Sequence, residues 1–115
     1  MSDKNDDLAD KIEEIRQMFL QRVRDEWLAR IIALRAQSGD WSQPTINEMV
    51  FLTHTLAGSA ATFGFKSLSD VARQIETTAK RIGTETGAKN EIVLALERLE
   101  AEARAALGDL RSEPA

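Results

Sequence analysis

The chain contains one histidine, His54, and no cysteine. Imidazole has a reference pKa near 6.5, so a substantial fraction is neutral and nucleophilic at pH 7. Gly58 stands four residues on, within the run of small residues Ala57-Gly58-Ser59-Ala60-Ala61-Thr62. A glycine inside a helix costs ~1 kcal/mol relative to alanine. A plain solvated face gains nothing for that cost. A face that brings another molecule's backbone close to an imidazole does. Two bland readings stand beside this one: the histidine is an incidental surface residue, and the small residues only let helices approach.

Other chemistries find little support. The glycines are too scattered for a phosphate-binding loop, and neither a metal-ligand cluster nor a nucleophile triad is visible. No metal site and no cofactor are therefore expected on this chain, and an enzyme in the ordinary sense is the weakest option. The formal charge is −4, without a basic stripe, so nucleic acid is not an expected partner. No run of 18 apolar residues offers a membrane span. The acidic start Met1-Ser2-Asp3-Lys4-Asn5-Asp6-Asp7 lacks an apolar signal core. With cysteine absent, these features fit a cytoplasmic location.

The elements that must position His54 are helices. At 115 residues the chain is one domain's worth, with a core expected over about residues 5–110 and a polar tail over 111–115. The first helix is expected over about residues 5–37. Its apolar residues Leu8, Ile12, Ile15, Phe19, Val23, Trp27, Ile31 and Leu34 recur at steps of three or four. Neither Pro nor Gly forces a break, although a helix this long can bend near its middle. It outruns the others by about ten residues on helical-pattern counting, and its first turns are expected to pack across one end of the domain.

The second helix starts near Pro44, with Ser42 or Gln43 at the cap and Trp41 available as a staple over Ile46. Its stripe runs Ile46, Met49, Val50, Thr53, Leu56, Ala57, Ala60 and Gly64, and it should end near Phe63 to Phe65. The third carries Leu68, Val71, Ala72, Ile75, Ala79 and Ile82, with Ser67 as cap and Gly83 as terminator. The fourth carries Ile92, Leu96, Leu99, Ala103, Ala106 and Leu110, with Thr86 as cap. Short links make neighbours antiparallel, so the expected fold is an all-α, up-down four-helix bundle with a long N-terminal helix.

On a wheel of the second helix, His54 falls about 110° from the centre of the stripe. That puts it on the shoulder of the helix, outside the core and wet. Ala57 lies about 50° from the centre, at the border of core and site, and Phe51 about 60° further out than His54.

The segment His54-Thr55-Leu56-Ala57-Gly58-Ser59-Ala60-Ala61-Thr62-Phe63-Gly64 resembles the signature of the histidine-containing phosphotransfer (HPt) family. That signature reads His-x-Leu-Lys-Gly-Ser/Ala-x-x-x-apolar-Gly. The likeness continues through Leu68, Ala72, Ile75 and Glu76 and extends more weakly over the first and fourth helices. It implies a free-standing single domain and a phosphorelay intermediate. His54 would accept a phosphoryl group from an aspartyl-phosphate on a response-regulator receiver domain and pass it to another receiver.

The resemblance further implies that Gly58 clears space for the receiver and that Glu76 and Lys80 line the site. A hybrid histidine kinase is the implied upstream partner, Mg²⁺ is expected on the receiver, and the chain is expected to be a monomer. Docking is expected on Phe51, Ala57, Ala61 and Phe65, with Trp41 either joining them or serving as the staple.

One position departs from the pattern. Ala57 stands where the family usually has a lysine, which leaves Lys66 and Lys80 as candidate cations. A lysine at 57 is expected to snorkel toward the imidazole. The departure motivates two alternatives: a module of the same fold that binds a receiver or kinase without transfer, and a structural helical bundle.

Overall fold

The computed structural model describes residues 4–111, and among them every regular element is helical. These are α1 (Lys4–Arg22), a π-helical turn (Val23–Trp27), α2 (Leu28–Ala36), α3 (Gln43–Thr62), α4 (Lys66–Ala79) and α5 (Ala88–Ala106), followed by a 3₁₀ turn (Leu107–Asp109). Arg22, Trp27 and Leu28 all keep right-handed helical dihedrals, so α1, the π turn and α2 form one continuous rod. Counted that way, the domain is a four-helix bundle.

The π turn answers a feature of the sequence. Phe19, Val23, Trp27 and Ile31 follow one another at steps of four. Four residues of α-helix turn through about 400°, so such a stripe drifts by about 40° per step and leaves the core. A turn that takes in an extra residue brings it back. All four side chains are buried.

Leu8, Ile12 and Ile15 continue the same stripe toward the N-terminus, yet they are 58%, 52% and 53% exposed. They do not pack across the end of the bundle as expected. The bundle's aromatic edge, Phe19 against Phe63 and Phe65, lies four residues past Ile15. Just past Ile15, α1 meets the rest of the domain through polar contacts as well. Arg16 pairs with Asp109, the Gln17 side-chain amide donates to the Asp109 carbonyl (3.1 Å), and the Arg111 N–H donates to Gln17 Oε1 (2.8 Å). The molecule is accordingly long, 61 × 28 × 21 Å.

Ser42 caps α3, its Oγ accepting from the Thr45 N–H at 3.3 Å, and Pro44 sits in the first turn where no N–H is missed. Trp41 is buried, with its indole N–H donating to the Leu34 carbonyl at 2.9 Å, which ties the preceding loop onto α2. Gly64, at φ +85°, closes α3. Its N–H donates to the Ala61 carbonyl and that of Phe65 to the Ala60 carbonyl, the paired bonds of a Schellman ending that a side chain beyond glycine would strain.

Three boundaries differ from expectation. Ser67 lies inside the first turn of α4 and caps nothing, because the chain re-enters helix directly from the closing bonds of α3. Phe65 takes the cap position without a side-chain bond. Gly87, not Thr86, holds the cap position of α5. Finally, α4 stops at Ala79, ahead of Gly83, and turns fill residues 80–84.

Ser69 on α4 donates from Oγ to the Ala57 carbonyl on α3 at 2.8 Å, so these two helices approach closely. Across the bundle, Arg35 on α2 reaches Glu97 and Glu100 on α5, each at 2.9 Å. Between them lies a core of Leu20, Ile31, Met49, Leu56, Ile75 and Leu96, all fully buried. No helix among the described residues is long and apolar enough to cross a membrane.

Candidate functional site

Met49, Thr53, Leu56, Ala57 and Ala60 face inward on α3 and fix its rotation. Thr53 is wholly buried, with its hydroxyl returned to the Met49 carbonyl at 2.8 Å. The next residue along the helix, His54, is thereby forced onto the shoulder. Its side chain is 72% exposed.

The antiparallel run of α4 sets Glu76 opposite His54. The Glu76 carboxylate is only 16% exposed, and its Oε2 lies 2.9 Å from His54 Nδ1. The same oxygen accepts from the Lys80 ammonium at 3.2 Å. Burial works to raise the Glu76 carboxyl. The hydrogen bonds from Lys80 and His54, together with their charges, outweigh burial and hold it below its ordinary value. Glu76 is therefore a carboxylate at neutral pH, and a carboxylate only accepts. The proton between the two groups belongs to His54 Nδ1. In the neutral ring that leaves Nε2 with a free lone pair.

Gly58 is exposed one turn along the same shoulder, and a Cβ built there would meet nothing within 4 Å. No packing inside this chain requires a glycine at that position. Ala61 is exposed beyond it. On the other side of His54, Phe51 is 73% exposed. It lines a groove between α2 and α3 together with Arg30, Leu34, Asn47, Glu48 and Leu52.

Other residues from the sequence reading lie elsewhere. Ala57 is 3% exposed, because α4 closes over that side of α3 where Ser69 bonds to it. It presents no surface to a partner. Phe65 is half-buried among Phe19 and Phe63, with the Arg16 guanidinium 4.9 Å above its ring. Lys66 opens α4 and its ammonium sits 2.7 Å from Asp70. The α3–α4 turn beside it lies two helical turns from His54, roughly 12 Å at 1.5 Å per residue. The structure thus gathers His54, Gly58, Glu76 and Lys80 in one place and leaves Lys66 apart.

The sequence carried two signals for this grouping: the Glu76–Lys80 spacing of four, which puts the pair on one helix face, and the phase of His54 on α3. Among the described residues no group of three or more His, Cys, Asp or Glu side chains is placed to hold a metal ion.

A family model described as the Hpt domain matches residues 14–112. Comparison with curated proteins and with solved structures finds no match.

Proposed function

The chain belongs to the Hpt domain family, and on that premise we propose that His54 is its phosphoacceptor. Hpt domains act in phosphotransfer of two-component signalling, together with receiver domains and histidine kinases. In this reading His54 takes a phosphoryl group from the aspartyl-phosphate of a receiver, itself served by a hybrid kinase, and hands it to a second receiver. The chain acts as a cytoplasmic monomer.

The observation that carries the reading is the arrangement at the ring. An ionised Glu76 holds Nδ1–H, which leaves the Nε2 lone pair free on a ring that is largely exposed, one turn from Gly58 where a Cβ would meet nothing. The Nε2 lone pair attacks phosphorus, an N–P bond forms, and the bond from phosphorus to the aspartyl oxygen breaks. The receiver's aspartate leaves as a carboxylate. The ring keeps its Nδ1 proton and gains positive charge as the bond forms, and Glu76 stabilises that charge. The reverse sequence returns the group to a receiver.

Phosphoryl transfer asks mainly for in-line positioning and charge stabilisation. This chain offers the nucleophile and its orientation, and Mg²⁺ on the receiver supplies neutralisation of the phosphoryl oxygens. Phe51 and Ala61, on either side of His54 along α3, offer the receiver an apolar foothold.

The test is incubation with phosphorylated receivers from the same cell. Label that is acid-labile and base-stable is expected on the wild type and absent from His54→Gln; label on that variant at the wild-type level refutes the assignment. A second reading, a receiver-binding module without transfer, draws on the buried Ala57 and on a Lys80 already engaged with Glu76. Tight receiver binding without label would favour it.

A further inference from the structure

One carboxylate oxygen serves two donors at this site. Glu76 Oε2 takes the His54 Nδ1–H at 2.9 Å and the Lys80 ammonium at 3.2 Å. We propose that Lys80 is a positioning residue for His54, acting through that shared oxygen to keep the imidazole a nucleophile.

A lone carboxylate beside an imidazole has two effects. It orients the ring, and it also draws a second proton onto it by favouring the cation. An imidazolium has no lone pair at Nε2 and accepts no phosphoryl group. A site that needs the first effect must limit the second. The ammonium of Lys80 does so by occupying part of the same oxygen and by setting a positive charge next to the ring.

The charged groups around the carboxylate are few. His54 faces it from α3 and Lys80 from the end of α4, and these supply the charges that act on it. The other ionisable side chain of α3 is Glu48, six residues from His54 and so roughly 9 Å along the axis. On α4, Asp70 is engaged by Lys66, and Arg73 lies one turn before Glu76 on the exposed side. The α5 side chains are not among the groups that shift Glu76.

The Lys80 side chain is 60% exposed, so its ammonium stays near the ring only because Glu76 holds it there. Its influence on His54 should therefore depend on Glu76. That dependence separates a residue working through Glu76 from one that adds general surface charge.

The inference rests on the reading of His54 as a nucleophile, and its test needs no receiver. The single histidine makes diethyl pyrocarbonate a clean probe of the neutral imidazole in the whole chain. Modification rate is measured against pH for the wild type, Lys80→Met, Lys80→Arg, Glu76→Gln and the Glu76→Gln/Lys80→Met double variant. Lys80→Met should move the midpoint of the profile upward by about half a pH unit, the size of effect two charges about 5 Å apart have in a wet site. Lys80→Arg should restore the wild-type profile. In the Glu76→Gln background, removing Lys80 should move the midpoint by less than half as much.

An unmoved midpoint in Lys80→Met overturns the proposal. So does an equal shift in the two backgrounds, since Lys80 would then act independently of Glu76. A shift confined to the Glu76-containing protein, with no receiver able to label His54, would support the positioning role and sink the phosphotransfer reading instead.

Discussion

Two lysines at opposite ends of α4, one opening it and one just past it, each meet a carboxylate four residues away. Lys66 and Asp70, at the start, lie 2.7 Å apart with both side chains in water, 86% and 58% exposed. Glu76 and Lys80, at the end, lie further apart at 3.2 Å, but here the carboxylate is 16% exposed. The shorter pair is the less consequential one. Exposed pairs at this spacing contribute a few tenths of a kcal/mol and fade with salt. Burial of one partner changes the outcome at the other end. With most of its side chain covered, the Glu76 carboxylate meets less water and takes hydrogen bonds from Lys80 and from His54. The lesson is that a pair's spacing and length say little until the surroundings of its carboxylate are known.

The comparison can be broken at several points. The largest effect is expected from His54→Gln, which removes the nucleophile and leaves the fold. Phosphoryl uptake from a labelled receiver should fall below detection while the circular dichroism spectrum stays unchanged. Glu76→Gln comes next. It keeps a hydrogen-bond acceptor but removes the negative charge that stabilises the ring during transfer, and uptake should drop about tenfold, the equivalent of ~1.4 kcal/mol. The sign with pH is set by the direction of the Glu76 shift. Its folded-state value is lowered, so the pair's contribution to stability is present above the ordinary carboxylate range and is lost as pH falls through the folded value. Acid unfolding of Glu76→Gln, followed beside the wild type, should therefore show the two stabilities converging at low pH.

At Ala57 the expected effect falls on stability, with a smaller one on uptake. Placing the family's usual lysine there tests whether the site end can take another cation. With the helix contact at Ser69 closed over it, Ala57→Lys should cost about 1–3 kcal/mol through overpacking, read as a lower midpoint of urea unfolding. This reverses the expectation that such a lysine would simply snorkel. The smallest effect belongs to Lys66→Ala. Stability should change by no more than about 0.5 kcal/mol and label uptake not at all. A clear loss of uptake in that variant would erase the distinction between the two ends of α4.

Much of this arrangement was legible in the sequence. The phase of α3 placed His54 outside the core and Phe51 further out, Ser42 stood as one of two candidate caps, and the end of that helix was placed near Phe63 to Phe65. What escaped was whatever depends on a second helix. A wheel treats one helix alone, so it set Ala57 at the border, blind to the side from which α4 closes. Phe65 looked available for docking because Phe19 and Arg16, which engage it, lie some 50 residues earlier in the chain. Ser67 and Thr86 had the right chemistry for caps, but the turns beside them left no room for it. The apolar residues at 8, 12 and 15 had helical spacing and nothing to cover them. Periodicity announces a face and does not supply its partner.

The π turn gives the rod an odd grammar. One surplus residue is stored between Val23 and Trp27, and the two halves of the rod are in register because the turn takes it up. Loss of a single codon in this stretch would leave a regular helix of good composition. It would also keep the segments on either side nearly in phase, because five residues of π turn cover about the rotation of four residues of α-helix. The same loss inside α2 would instead swing everything before it by about 100° and carry Arg16 and Gln17 off Asp109. The same loss between Leu8 and Lys11 would disturb no packed side chain, since those residues face water. Chain length is thus under tight constraint where the first helix is regular and packed, and far looser at the π turn and at its beginning.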